Sequence, residues 1–198
     1  AGMAAVDDES GLQRDIHNIQ NSPFRTKFEK IFDEMYGKSA IGCISDFEPQ
    51  PLLMRSKIGT YAICFVGLIE NSDQLIDEYL VKQGIHFNAM TSGKVNSVEL
   101  ISALINQKDN FTDGIKFAQS VIKGSATILI LTDYGSIIAA RDKVGRLPVI
   151  IGKNENGFCV AMESFSYLKL GYEDYKELGS GEIVEITSDN LTVLSEAG

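Results

Sequence analysis

The second half of the chain alternates short apolar runs with turn residues, and this pattern constrains the fold most. From Ala126 onward the runs are ATILILTD, SIIAARD, PVIIGK, FCVAME, GEIVEIT and LTVLS. Turn-forming groups such as Asp133-Tyr134-Gly135 and the NENG stretch at 154–157 separate successive runs, as is typical of antiparallel hairpins. We therefore predict a series of antiparallel strands from residue 126 onward.

Helical patterns stand together before these strands. Apolar residues recur at three- and four-residue spacing in segments 72–84, 96–107 and 111–124, which predicts three successive helices. Two β-rich runs, AIGCIS and TYAICFVGLI, precede them and predict two strands. Strands thus cluster at both ends with helices between them, which disfavours a doubly wound sheet and favours stacked α and β layers.

This layering predicts the layer in which particular residues lie. Strands around Ile63 and Ile128 are expected within one buried double sheet, with helices near Leu75 and Ile101 outside it. A further amphipathic helix is predicted from a capping Ser22 to Gly37, with its apolar face formed by Phe24, Phe28, Ile31, Phe32 and Met35. The opening AGMAAVDDESG reads as the end of one strand and a turn, so the chain is expected to begin in mid-domain.

Composition excludes several classes of function. The 198 residues suffice for one ordinary domain. The formal charge is -9 and the basic residues are scattered, so no nucleic-acid partner is expected. No apolar stretch approaches the roughly 20 residues that span a bilayer, so no membrane association is expected. The three cysteines lie in or beside apolar runs, which favours reduced, buried thiols and a cytoplasmic location.

The titratable residues offer few candidates for catalysis. His17 and His86 are the only imidazoles, and the cysteine spacing does not suit zinc, so no metal site is expected. Cys43 lies in AIGCISDFEPQP and is either a nucleophile or an inert buried thiol. The inert thiol is the commoner outcome in such apolar surroundings, so we predict a buried Cys43 with no imidazole within hydrogen-bonding reach.

An ordered succession of residues in the second half carries a resemblance to a known family. An apolar strand ends in Arg141-Asp142, a turn holds Gly145 and Pro148, the next strand ends at Gly152, and Glu163-Ser164 and the GSGE turn at 179–182 follow. With the opening Ala-Gly-Met-Ala and with Gly67 and Asn71 in FVGLIEN, the chain resembles the glutaminase domain of the amidophosphoribosyltransferases. The matched glycines and Arg-Asp also suit tight turns, so they indicate fold more than chemistry.

The resemblance implies a fold. It is an α+β, four-layer αββα sandwich of two antiparallel sheets, of the N-terminal-nucleophile (Ntn) hydrolase type, with the first strand apparently absent from this chain. It agrees with the layers inferred from the strand and helix grouping.

The resemblance also implies substrate-binding positions, and these are altered. Where the family has His-Thr-Arg, whose arginine grips the α-carboxylate of glutamine, this chain has Cys43 and Ser45, and the following family loop is deleted before Pro49. A carboxylate held out of water needs a cationic donor, and the nearby Asp46 and Glu48 would repel it.

The remaining pocket positions show similar losses. Val66 stands at the asparagine of the family's Asn-Gly turn, beside Gly67, and its isopropyl group cannot donate to an oxyanion. Ser97 stands where the family has an aspartate for the amino group of glutamine. The family nucleophile is an N-terminal cysteine whose own α-amine is the base, whereas this chain has Ala1, at a position that matches further into the family pattern. No catalytic residue is therefore expected.

Three functions remain open at this point. The first is a degenerate glutamine amidotransferase type 2-like domain spanning 1–198, a fragment of a longer protein, with a structural or regulatory role. It would partner a phosphoribosyltransferase domain or subunit, or form a homo-oligomer, and would bind neither glutamine nor a cofactor. The second is an active glutaminase half whose cysteine lies upstream. The third is a small-molecule binding module that uses the same cleft for a neutral or apolar ligand.

Overall fold

The computed structural model describes the chain except for Phe47, Lys82, Gln83, Ile85, His86, Asn88, Ala89 and Ser92, and except for the side chains of Phe32, Met90 and Thr91. The strands are β1 (Gly2–Asp7), β2 (Gly11–Ile16), β3 (Ser39–Cys43), β4 (Leu52–Ser56), β5 (Gly59–Ile69), β6 (Met90–Thr91), β7 (Lys94–Val95), β8 (Gly124–Thr132), β9 (Ile137–Ala140), β10 (Ile150–Asn154), β11 (Gly157–Ala161), β12 (Glu173–Glu177), β13 (Ile183–Ile186) and β14 (Leu191–Ser195). The helices are α1 (Phe24–Phe28), α2 (Ile31–Glu34), α3 (Ser72–Leu75) with a π-helical continuation (Ile76–Leu80), α4 (Ser97–Ile105), α5 (Phe111–Val121) and α6 (Phe165–Leu168).

A six-stranded antiparallel sheet forms the centre of the molecule, in the order β14-β13-β9-β8-β5-β4. β5 and β8 pair along their length, with Ile63 opposite Ile130 and Phe65 opposite Ile128. Their apolar side chains share a core with Leu75 and Ile101 from the helices. The predicted positions of these strands and helices are confirmed.

Two three-stranded antiparallel sheets form the next layer, in the orders β2-β1-β3 and β11-β10-β12. Each closes a separate apolar cluster against the six-stranded sheet: one contains Ala4, Ile41 and Ala62, and the other contains Ala139 and Ile151. Helix α6 contacts β11 and β12. The predicted sandwich of α and β layers is thus present, with one β layer divided into two sheets.

The helix predicted from Ser22 to Gly37 is instead two short helices, α1 and α2, with a break at Glu29 and Lys30. The predicted cap is wrong, because Pro23 occupies the N-cap position and neither helix has a side-chain capping bond. A short helix without caps depends on burial of its apolar face. Phe28 and Ile31 are buried, whereas Phe24 is 40% exposed, so one continuous face is not maintained.

The Arg141-Asp142 pair holds a turn together. Asp142 is buried, and its carboxylate accepts hydrogen bonds from the backbone N–H groups of Ala126 at 3.0 Å and Val144 at 3.1 Å. The Arg141 guanidinium donates to the carbonyl oxygens of Leu147 and Gly145, each at 3.0 Å. These family-like residues are therefore structural, as their suitability for turns indicated.

Within the described part of the chain, no helix is long and apolar enough to cross a bilayer.

Candidate functional site

A cavity of about 430 Å³ opens where β1 begins, where β2 ends and where the chain leaves β3. Its walls contain Ala1, Cys43 and Ser45, at which the family resemblance implies altered residues. The remaining lining residues are Ile16, His17, Asn18, Ile19, Gln20, Ile44, Asp46, Glu48, Pro49 and Gln50. The described lining thus includes two carboxylates and contains no arginine or lysine side chain.

Ala1 is fixed at the cavity by strand pairing. Its ammonium donates to the carbonyl oxygen of His17 at 2.9 Å, and the His17 N–H donates back to the carbonyl oxygen of Ala1 at 2.9 Å. The structure places residue 1 in the cavity wall, where its side chain contributes a methyl group.

His17 lines the same cavity, but its ring is engaged elsewhere. Its Nε2 lies 3.1 Å from Oδ2 of Asp15, and its ring meets the ring of Phe28 edge-on, with centroids 5.1 Å apart. The other histidine, His86, lies outside the described residues.

The segment after β3 is tied to helix α4 by a carboxylate. Oε1 of Glu48 accepts a hydrogen bond from the backbone N–H of Ser97 at 2.7 Å, and Oγ of Ser45 accepts one from the N–H of Glu48 at 3.2 Å. Asn96 caps the same helix end, because its Oδ1 accepts from the N–H groups of Val98 at 2.9 Å and Glu99 at 3.2 Å. The first N–H of α4 is therefore already bonded to an anion from this chain.

Gln50 anchors the far end of this segment. Its side chain is 5% exposed, and its Oε1 accepts from the N–H of Phe65 on β5 at 2.8 Å. The backbone of Gly2 lies so close to Gln50 that a Cβ on residue 2 would overlap the Gln50 carbonyl. The start of β1, the cavity segment and β5 are thus locked together.

The remaining predicted pocket positions are not among the described residues that line this cavity. Val66 and Gly67 lie on β5 opposite Thr127 and Ala126, and neither is among the described lining residues. A Cβ on residue 67 would overlap the carbonyl oxygen of Ser125, so glycine is required there by backbone approach. Ser97 reaches the cavity segment only through its bond to Glu48 among the contacts described.

Cys43 is half-buried and lines the cavity, so the prediction of a buried thiol is wrong. It ends β3, an edge strand of its small sheet. Interaction with the neighbouring Cys64 thiol lowers the pKa of Cys43, burial opposes this, and the Ala1 ammonium lowers the pKa further. The same interaction and burial raise the pKa of Cys64, which is buried.

Sequence reasoning missed two features of this site. The place of Ala1 in the cavity wall was missed because it depends on backbone pairing with His17, 16 positions away in the chain. The role of Glu48 was missed because its partner lies 49 positions away in the chain. Glu48, directly before Pro49, is visible in the sequence as an acidic residue, but its sequence neighbours do not indicate which N–H group it binds.

Comparisons with known proteins give a consistent result. A family model described as a glutamine amidotransferase domain matches residues 38–168. An amidophosphoribosyltransferase of Methanocaldococcus jannaschii is 31% identical over 96% of this chain and 41% of its own length. A glutamine–fructose-6-phosphate aminotransferase of Listeria innocua is 32% identical over 70% of this chain and 22% of its own length.

A solved structure shows the same fold. The glutamine phosphoribosylpyrophosphate amidotransferase of Bacillus subtilis, complexed with ADP and GMP, superposes with a TM-score of 0.83 at 26% identity. The match covers 100% of this chain and 42% of that protein, so this chain spans less than half of it. The predicted Ntn-hydrolase sandwich is confirmed.

Proposed function

Because the chain belongs to the glutamine amidotransferase domain family, we propose that it is a degenerate member that neither binds nor hydrolyses glutamine. It resembles the glutaminase half of amidophosphoribosyltransferase, an enzyme of purine biosynthesis. The proposed role is structural or regulatory.

The observation that carries the proposal is the charge of the cavity lining. Asp46 and Glu48 line it, while no arginine or lysine side chain does so among the described residues. A substrate α-carboxylate entering this space would meet negative charge and would have no bidentate partner.

The side chain of residue 1 supports the same conclusion. Ala1 contributes a methyl group to the cavity wall, and a methyl group cannot attack a carbonyl carbon, whereas acyl transfer in this class of enzyme uses a thiol. At the position of the family's oxyanion-stabilising asparagine this chain has Val66, which lies outside the described lining and has no side-chain donor. Chemistry and binding are thus both impaired by residues at several separate positions, so restoring any single one is not expected to restore activity.

The proposal extends to the rest of the protein. Residues 1–198 would act as one domain of a longer cytoplasmic protein and would work beside a phosphoribosyltransferase domain or subunit, or as a homo-oligomer. Support comes from relatives named amidophosphoribosyltransferase, of which this chain spans 41% and 42% of the length in two cases. Sedimentation of the chain alone and with a phosphoribosyltransferase domain tests this, and an unchanged monomer in both samples would contradict it.

The decisive experiment measures glutamine binding by calorimetry and glutamate release by assay. We expect neither. Release of glutamate would instead support an active glutaminase domain.

A further inference from the structure

Two cysteines from different layers of the fold meet beside the cavity. Cys43 ends β3 in a three-stranded sheet, and Cys64 lies within β5 of the six-stranded sheet. Both belong to the apolar cluster between these sheets, with Ala4, Val6 and Leu131 around them. Their shared place in this cluster brings the two sulfurs into one environment, and the Cys43 thiol donates to the carbonyl oxygen of Ile44 at 3.6 Å.

The two thiols differ in access and in acidity. Cys43 lines the cavity, whereas Cys64 is 4% exposed. The neighbouring Cys64 thiol and the Ala1 ammonium lower the pKa of Cys43, whereas the interaction with Cys43 and burial raise the pKa of Cys64. A partly exposed thiol in such an environment is the reactive one of a pair.

The cavity also selects the type of reagent. Asp46 and Glu48 line it together with Cys43, so an anionic reagent is repelled and a small neutral one is favoured.

We propose that Cys43 and Cys64 form an oxidisable dithiol, in which the Cys43 thiolate attacks a neutral hydroperoxide that enters through the cavity and Cys64 then closes a disulfide between the two sheets. The thiolate bonds to one peroxide oxygen as the O–O bond breaks, which gives a sulfenic acid at Cys43. The leaving alkoxide, or hydroxide from hydrogen peroxide, takes up the proton that Cys43 lost and is released as an alcohol or as water. The Cys64 sulfur then attacks the Cys43 sulfur. The S–O bond breaks, and the hydroxyl leaves as water with the proton of Cys64. Overall, two thiols are oxidised by two electrons and one peroxide is reduced.

Cys159 provides an internal control. It is also partly exposed, but burial raises the pKa of its thiol and no second cysteine contributes to its environment. With iodoacetamide at neutral pH, we expect Cys43 in the wild-type chain to react roughly tenfold faster than Cys159, because it has the larger thiolate fraction. Equal rates at the two positions would contradict the proposal.

The disulfide is tested by treating the reduced chain with hydrogen peroxide, blocking free thiols and mapping the peptides by mass spectrometry. The wild type and Cys159→Ser should give a Cys43–Cys64 linked peptide, with Cys159 free in the wild type. Cys64→Ala should leave Cys43 as a sulfenic acid that dimedone captures, and Cys43→Ser should protect Cys64 from oxidation. Oxidation of Cys43 in the wild type without a link to Cys64 would overturn the proposal, as would oxidation of Cys159 at the rate of Cys43.

Discussion

The Glu48 carboxylate accepts a hydrogen bond from the backbone N–H of Ser97, with an oxygen-to-nitrogen distance of 2.7 Å. This bond connects the cavity segment to the first turn of α4, where a negative charge interacts favourably with the helix dipole. The same carboxylate contributes to the negative lining of the cavity. One residue thus stabilises the fold and disfavours an acidic ligand.

Replacing Glu48 should therefore reduce stability. We expect Glu48→Ala to lower the free energy of unfolding by about 1 kcal/mol, through loss of the bond to the helix end. Glu48→Gln, which keeps an acceptor oxygen, should lose less. Urea denaturation measures both values.

The neighbouring exposed residue Asp46 provides the matched control. Asp46→Ala should change stability by no more than about 0.5 kcal/mol, as is usual for an exposed position. Equal stability of Glu48→Ala and Asp46→Ala would show that the bond to Ser97 contributes nothing.

The approach of Gly2 to Gln50 predicts a steric effect. A methyl group on residue 2 would overlap the Gln50 carbonyl, so Gly2→Ala should lower stability by about 1–3 kcal/mol as the backbone shifts. Gly42→Ala on the adjacent strand is the control, since its Cβ would lie 3.5 Å from the carbonyl oxygen of Gly2, an ordinary contact. Thermal denaturation that shows the same midpoint for both variants would contradict this packing.

The buried amide of Gln50 gives a third prediction. Gln50→Leu removes the acceptor of the Phe65 N–H, and a buried unsatisfied donor costs about 1–3 kcal/mol. Gln20→Leu, at an exposed position in the same cavity, should be nearly neutral. Comparison of the two by urea denaturation tests the assignment, and an equal loss in both would refute it.

Tyr61 should make stability depend on pH in alkaline solution. Burial raises the pKa of its hydroxyl, although the bonds to Ser102 and Asn106 act in the opposite direction. The unfolded tyrosine ionises near pH 10, so above about that pH the unfolded state binds fewer protons than the folded state and stability falls. Below that pH, the contribution of neutral Tyr61 is fully present.

Tyr61→Phe should remove this alkaline loss. At neutral pH it should cost about 1 kcal/mol, because the hydroxyl bond to Ser102 at 2.7 Å is lost. Tyr134→Phe is the control, since Tyr134 is 69% exposed. If unfolding free energies of the wild type and Tyr61→Phe decline in parallel between neutral pH and pH values above about 10, the pKa of Tyr61 is not raised.

The layers of the fold were predictable because apolar periodicity differs between helices and strands. The β5 and β8 segments are apolar over most of their length, and this composition predicts strands. β12 was missed because its sequence, EDYKE, is charged; it is an edge strand, and Tyr175 packs on Phe158 with ring centroids 5.5 Å apart. An edge strand of this kind forms because neighbouring strands pair and pack with it, and its own sequence does not predict a strand.

The site was less predictable than the fold. The losses at Ser45, Val66 and Ser97 followed from the family resemblance, but the cavity brings together Ala1, Cys43 and Ser45, while Val66 and Gly67 lie apart from its described lining. The pairing of Cys43 with Cys64 arises from contact between two sheets. Residues 21 positions apart on different sheets cannot be paired from their spacing alone.

The central claim is that this domain does not process glutamine, and the most direct test combines two measurements on two proteins. The wild-type chain and Ala1→Cys, the latter with the cysteine as a free N-terminus, are titrated with millimolar glutamine by calorimetry and assayed for glutamate. We predict no binding heat and no glutamate for either, because Ser45 still offers no cation for the carboxylate and the Val66 position, outside the described lining, supplies no donor for an oxyanion. Loss of one oxyanion donor alone costs about a hundred- to a thousandfold in rate. Measurable glutamate release by Ala1→Cys, or saturable glutamine binding by either protein, would contradict the account.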